Sequence, residues 1–214
     1  MNALLRALTA GALASLAARL PVRAAAMVQL ALILIGALLP LWPLWRGAIE
    51  LQDLLAYSAL WLALSVITTL VRLRTMPGEP DVRRFFTMHY AIMVGVLSLV
   101  VGVWSIILLA ISGVSGGWWT LVFTAIAMVL ANAWSLADGW FHRGGRRSAK
   151  LWQVLLPGYL RFVPVLLATV FGAMAIIGEW TASAKLSIGL CLVLALTLID
   201  LVLAVAAYRR VLVT

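Results

Sequence analysis

Five polar side chains interrupt otherwise apolar stretches of this sequence: His89, Asn132, Asp138, Arg161 and Asp200. Such groups are costly inside hydrocarbon, so each is a candidate for proton, ion or headgroup chemistry, or for an internal pair that cancels charge. At a helical rise of about 1.5 Å per residue, His89 lies roughly 7 Å inward of Arg84, and Asp200 roughly 13 Å inward of Arg209. Asp138 shortly precedes Arg143, and Arg161 shortly follows Pro157. The four ionisable groups therefore fall in one half of any bundle that holds them.

Three readings follow from this grouping. In the first, Arg161 neutralises Asp138 or Asp200, His89 hydrogen-bonds the other carboxylate, and the cluster is structural. In the second, the group lines a small polar cavity open to the cytoplasm that takes a proton, an ion or a headgroup. In the third, these residues face a partner protein. Asn132 reads as an interhelical hydrogen-bonding residue rather than a ligand.

Other chemistry finds no support in the residue types. A haem held by two histidines needs both at membrane depth, yet His142 belongs to the basic segment Phe141 to Lys150. Iron–sulfur and zinc sites need several ligands at fixed spacing, and Cys191 stands alone, as a small packing residue. One histidine with one carboxylate is too thin a set for a metal. No cofactor is indicated. Gly144-Gly145 lies among arginines as a flexible turn rather than a phosphate loop, and no span carries the regular arginines of a voltage sensor.

The elements that must position these residues follow from composition. Of the 214 residues, 65% are hydrophobic and 11% charged, with a mean hydropathy of +1.12. Soluble domains average about 45–50% apolar and about 25% charged residues, so this is an integral membrane protein. The net charge of +9 resides in short breaks between apolar runs, which points to the cytoplasmic face and anionic headgroups rather than to nucleic acid.

Six apolar runs are each long enough to span about 30 Å of hydrocarbon: 24–45, 54–73, 85–111, 118–140, 157–177 and 182–207. Pro40 and Pro43 are expected to kink or end the first near its far interface, where Trp42 and Trp45 suit an aromatic belt. Before the spans, residues 1–23 read as an amphipathic arm lying on the membrane surface; Arg19 and Arg23 fall where a leader would be cleaved. The expected fold is all-α: a bundle of six transmembrane helices in one domain over 24–214, preceded by that interfacial helix.

Charge sets the expected orientation. With the N-terminus inside, the cytoplasmic loops hold Arg72, Arg74, Arg83, Arg84, Arg143, Arg146, Arg147 and Lys150; of the 16 lysines and arginines, only Arg46 and Lys185 fall outside. That bias places both termini in the cytoplasm. Pro77, Gly78 and Pro80 make the stretch from Arg72 to Tyr90 a tight basic turn between the second and third spans. Ala91 with Gly95, and Ala168 with Gly172, have the spacing that lets helices approach closely.

Four short motifs carry a family resemblance. Phe85-Phe86-Thr87-Met88-His89-Tyr90 opens the third span, and Leu60-Trp61-Leu62-Ala63-Leu64 lies in the second. Gly158-Tyr159-Leu160-Arg161 is in the fifth and Leu196-Thr197-Leu198-Ile199-Asp200 in the sixth. The chain resembles a bacterial multi-span membrane family known only as a domain of unknown function. It looks like a divergent member, with Ala63, Pro164 and Leu196 where that family carries glutamate, histidine and lysine. The resemblance covers about Leu51 to Ala207. It implies a multi-span bundle without an assigned activity, and it singles out His89, Arg161 and Asp200.

The expected role is a non-catalytic accessory or scaffold subunit of the bacterial inner membrane, packing against another membrane protein or a second copy of itself. The alternative is a small transporter or ion-coupled carrier with its polar site in the cytoplasmic half of the bundle. An enzyme acting on lipid or quinone ranks last, since His89 with Asp200 is its one acid–base candidate.

Overall fold

Among the described residues, six helices are long and apolar enough to cross a membrane. The computed structural model describes residue 15 and residues 18–213, with side chains up to residue 209. The helices are α1 (Val22–Trp45), α2 (Leu51–Thr75), α3 (Pro80–Ser112), α4 (Trp118–His142), α6 (Leu151–Ile177) and α7 (Ala182–Val213). The single turn α5 (Gly145–Ser148) lies between α4 and α6. No strand occurs among the described residues, and the chain is an all-α polytopic bundle. Of the expected arm over 1–23, residues 1–14, 16 and 17 lie outside the described residues.

Local chemistry sets the helix ends. Asp53 accepts the backbone N–H of Glu50 at 2.9 Å and so starts α2 three residues earlier than hydropathy alone places it. Pro80 opens α3, where its missing N–H costs nothing. Glycines with positive φ end α3 at Gly113 and separate α4 from α5 at Gly144. One expectation needs correction: Pro157 lies inside α6 rather than at its start. Helix α1 runs through Pro40 and Pro43 and ends two residues later, at Trp45. The Pro43 carbonyl accepts Ala48 N–H at 2.8 Å, so the backbone groups of this last turn find partners beyond the helix.

Helix α2 stands at the centre. Half of its apolar window is buried, against 22–39% in the other five spans. Helices α3, α6, α7 and α4 pack on it, and α1 fills the outer position between α4 and α7. Only Leu60, Ala63, Ile67 and Arg74 leave α2 exposed, a single stripe at helical spacing. Elsewhere the outer surface is apolar, with Met27, Leu38, Ile106 and Leu198 all exposed.

Hydroxyls occupy the interior instead. Ser98, Ser105, Thr124 and Thr169 are buried, and each donates to the carbonyl four residues back. Gly172 lets α6 approach α2, because Leu55 occupies the place where a side chain would stand.

Consecutive spans alternate in direction, so one end of the bundle gathers the C-termini of α2, α4 and α7 with the N-termini of α1, α3 and α6. Nearly all of the cationic side chains named above belong to this basic end. The opposite end carries Trp42, Trp45, Trp118, Trp119 and Trp180, all exposed as an interfacial belt requires. There the buried Asp53 also accepts Ser115 N–H at 3.2 Å, and Gly117 N–H donates to the Ala48 carbonyl at 3.1 Å. These bonds tie the two hairpin connections together.

Candidate functional site: a polar cavity at the basic end

Arg161 on α6 and Asp200 on α7 form an ion pair inside the bundle. Its Nη2 lies 2.6 Å and its Nε 2.8 Å from the same carboxylate oxygen, Oδ1. The third guanidinium nitrogen, Nη1, donates to Ser65 on α2 at 3.1 Å, and the guanidinium lies over the Trp61 ring at 5.4 Å. Three helices thus fix one arginine, with charge-assisted bonds and a π face.

This pair stands in the wall of a cavity of about 180 Å³ that opens at the basic end. Gln29 of α1, Arg72 of α2, Asn132 and Ser135 of α4, and Tyr208 of α7 share the wall, and Gly145 and Ser148 of α5 rim it. A second, narrower cavity of about 60 Å³ continues inward between α1, α2, α4 and α7. Asp200, Asn132, Ile33 and Ala131 line both, so the ion pair stands at their junction. The inner cavity is lined by Tyr57, Trp61 and apolar side chains, and reaches Pro40 and Leu54. Leu44 and Leu54 pack over Gly189, where even a Cβ would come within 3.2 Å of either leucine.

Arg72 is the residue that the sequence placed wrongly. It is not in a water-facing loop; it is part of α2, and its Nη2 donates to Ser135 at 2.7 Å while the guanidinium faces the Trp140 ring at 5.8 Å. Its Nε is buried and has no hydrogen-bond partner. No carboxylate pairs with it among the described residues. Gln29, a lone amide in an apolar span that belongs to no motif, is buried with its Oε1 unpartnered in the same wall.

The last two turns of α4 explain how Ser135 and Trp140 reach Arg72. Ser135–His142 is a π-helix, a wider coil that places Ser135 and Gly139 on the cavity and turns Asp138 away from it. Such a coil is invisible to an analysis that assumes 3.6 residues per turn.

Of the other residues expected in the cluster, Asp138 and His89 lie elsewhere, and Asn132 shares the cavity wall with Asp200. Asp138 is fully buried and pairs with Arg143, Nε to Oδ1 at 2.8 Å, rather than with Arg161 or His89. Its Oδ2 accepts the Tyr208 hydroxyl at 2.7 Å. Arg143 also donates to the Leu20 carbonyl at 3.0 Å, and Trp134 Nε1 to the Ala25 carbonyl at 3.2 Å, so this group anchors the start of α1. His89 is exposed on the outer side of α3, stacked on Phe85. Asn132 donates to the Met128 carbonyl at 3.0 Å and lines both cavities.

Among the basic residues, Arg74, Arg84, Arg146, Arg147 and Lys150 are exposed, and Arg83 donates to the Met76 carbonyl at 3.1 Å. Arg74, Arg83 and Arg84 extend from helices rather than from a loop. No group of three or more metal-ligating side chains occurs among the described residues.

The family of unknown function DUF6498 matches residues 19–212, nearly the whole described chain. The chain belongs to this family. No curated protein and no solved structure matches it. The family assignment agrees with the resemblance carried by the four short motifs. Two of those motifs end on the paired Arg161 and Asp200, and a third contains Trp61, over which Arg161 lies.

Proposed function

We propose that the protein is a small carrier that admits a polar solute from the basic end of the bundle and holds it beside Arg161 and Asp200. The observation that carries this reading is the pair of cavities meeting at that ion pair. A scaffold has no use for a wall of arginine, aspartate and amide groups around open space at membrane depth, where each polar group raises the cost of folding. A carrier needs such groups at the junction of an outer and an inner compartment.

The compartments differ in a way that suits one step of alternating access. The polar chamber lies toward the basic end, and the apolar one runs inward to Leu54, which with Leu44 packs over Gly189. The prolines at 40 and 43 in α1 flank this contact, where a helix missing backbone bonds bends most easily. By the excess of arginine, the open end faces the cytoplasm of a bacterial inner membrane.

Accessibility tests the reading. In a Cys191→Ser background, Ala131→Cys places a thiol at the junction of the cavities. In sealed vesicles a hydrophilic, membrane-impermeant thiol reagent should label it from the basic side, and more slowly from the opposite side. Labelling from neither side, in a protein that remains folded, leaves no aqueous route and returns the protein to the scaffold reading.

A further inference from the structure

Arg72 and Gln29 give the cavity an unspent donor and an unspent acceptor. The wall carries two guanidinium groups, Arg72 and Arg161, against one carboxylate, Asp200, and that carboxylate is already paired with Arg161. The chamber therefore holds a net charge of one cation, concentrated at Arg72. Ser135 and the Trp140 ring fix the guanidinium, so its orientation is set before any ligand arrives.

We infer that this chamber binds a singly charged oxyanion that also carries a hydrogen-bond donor, a protonated phosphate group being the simplest. The anion would accept from the Arg72 guanidinium and the donor would bond Gln29 Oε1 once the ligand parts the wall, in which Arg72 Nε and Gln29 Oε1 are buried and without partners. A neutral solute leaves the charge of Arg72 uncompensated, and a cation meets two arginines. A carboxylate without a donor satisfies Arg72 and leaves Gln29 unpaired, at a penalty typical of buried polar atoms. A volume of about 180 Å³ admits a phosphate or a small phosphate ester. This inference rests on the carrier reading and names the solute class for the same site.

The same chemistry occurs in free phosphate and in a lipid phosphomonoester, so the test has two arms. Ala204→Cys, in the Cys191→Ser background, places a reporter thiol on the cavity wall away from Arg72's partners. Its reaction rates with an anionic and a cationic methanethiosulfonate are compared. A single charge at close range in water already biases one reagent about fivefold, so the anionic reagent should win by at least that ratio. Arg72→Gln should abolish the preference, while Arg74→Gln, an exposed arginine on the same helix, should leave it.

Inorganic phosphate in lipid-free detergent should slow labelling by a neutral reagent several-fold, and acetate should slow it less. In nanodiscs, protection by phosphatidic acid over phosphatidylcholine alone assigns the group to a lipid; protection by added phosphate alone assigns it to a soluble ion. If Arg72→Gln does not yield folded protein, Arg72→Lys decides, since it keeps the charge preference and loses most of the phosphate protection.

Rapid labelling of Ala204→Cys without charge preference or protection by any of these anions overturns the oxyanion and leaves the carrier reading standing. An equal loss of preference in Arg72→Gln and Arg74→Gln also overturns it, because the cause is then surface potential. Failure of the neutral reagent to reach the thiol removes the carrier reading itself.

Discussion

Tyr90 fills the space that a side chain at Gly158 would need. The ring is fully buried, and a Cβ on Gly158 would overlap its hydroxyl and lie 2.7 Å from Cζ. Tyr90 sits on α3 just before the π-helical stretch Ala91–Val96, and packs edge-on against Tyr159 of α6. Gly158→Ala should therefore cost about 3 kcal/mol, the upper range for overpacking, because the neighbour is a rigid ring without room to turn. The thermal midpoint in mild detergent measures it. Tyr90→Phe combined with Gly158→Ala should recover part of the loss, since the hydroxyl is the first atom to collide.

The Arg161–Asp200 pair predicts an asymmetric mutational response. Either charge alone in this setting has lost its partner at depth, and removing one member of a buried pair typically costs about 3–5 kcal/mol. The side chains are 14% and 15% exposed and line a cavity, which places the loss at the low end, about 3 kcal/mol. Asp200→Asn and Arg161→Met should each lower the thermal midpoint strongly. The double variant Arg161→Met/Asp200→Leu should fall within about 1 kcal/mol of the parent while losing solute uptake. If the double variant falls about 3 kcal/mol or more below the parent, the pair is a net stabiliser relative to apolar side chains.

Asp53 should matter more than its place at a helix start suggests. It caps α2 through Glu50 N–H and holds Ser115 N–H of the α3–α4 connection, while fully buried. Asp53→Ala loses both charge-assisted bonds, an expected loss of about 2–3 kcal/mol. Asp53→Asn keeps one acceptor and should lose roughly half as much. Chemical unfolding of the three proteins side by side orders them.

What could be read from the sequence was the part governed by averages. Span number and break positions follow from hydropathy summed over about twenty residues, where single errors cancel. The Met76–Glu79 break and the tryptophan belt at Trp42 and Trp45 are of this kind. The grouping of Arg161 with Asp200 was legible by depth, because rise per residue is nearly constant. Rotation about the helix axis was not. Depth alone placed His89 beside Asp200, yet His89 points outward on α3, and no count of residues reveals that. Arg72 was assigned to water because it neighbours Arg74 and the proline turn, although one turn of α2 decides whether an arginine faces solvent or a cavity. The π-helical end of α4 shifted Ser135 and Asp138 off the faces that a regular helix gives them.

His89 offers a contrast with the cavity residues. It is exposed and stacked on Phe85, itself 58% exposed, on the outer side of α3. His89→Ala should change stability by less than about 0.5 kcal/mol and leave labelling of the Ala204→Cys reporter unchanged. A large loss of uptake in this variant, with unchanged stability, points instead to an outer-surface role at the headgroup level.

The Asp138–Tyr208 bond links the anchor of α1 to the wall of the cavity. Tyr208 donates to Asp138 at 2.7 Å, lies 3.4 Å from the Ala25 carbonyl, and forms part of the wall. Ala25 and Gln29 are one turn apart on α1, so both face inward from the same side of that helix. Tyr208→Phe removes the donor and leaves Asp138 Oδ2 buried with one partner fewer, an expected loss of about 1–3 kcal/mol. The loosening should be local: hydrogen exchange should rise in the first turns of α1, and Ala204→Cys should label faster as Gln29 withdraws. Trp134→Phe, which removes only the bond to the Ala25 carbonyl, should raise exchange in the same turns without exposing the carboxylate. If Tyr208→Phe instead raises exchange across α7 and spares α1, the hydroxyl holds its own helix in place, and the cavity wall does not depend on the anchor.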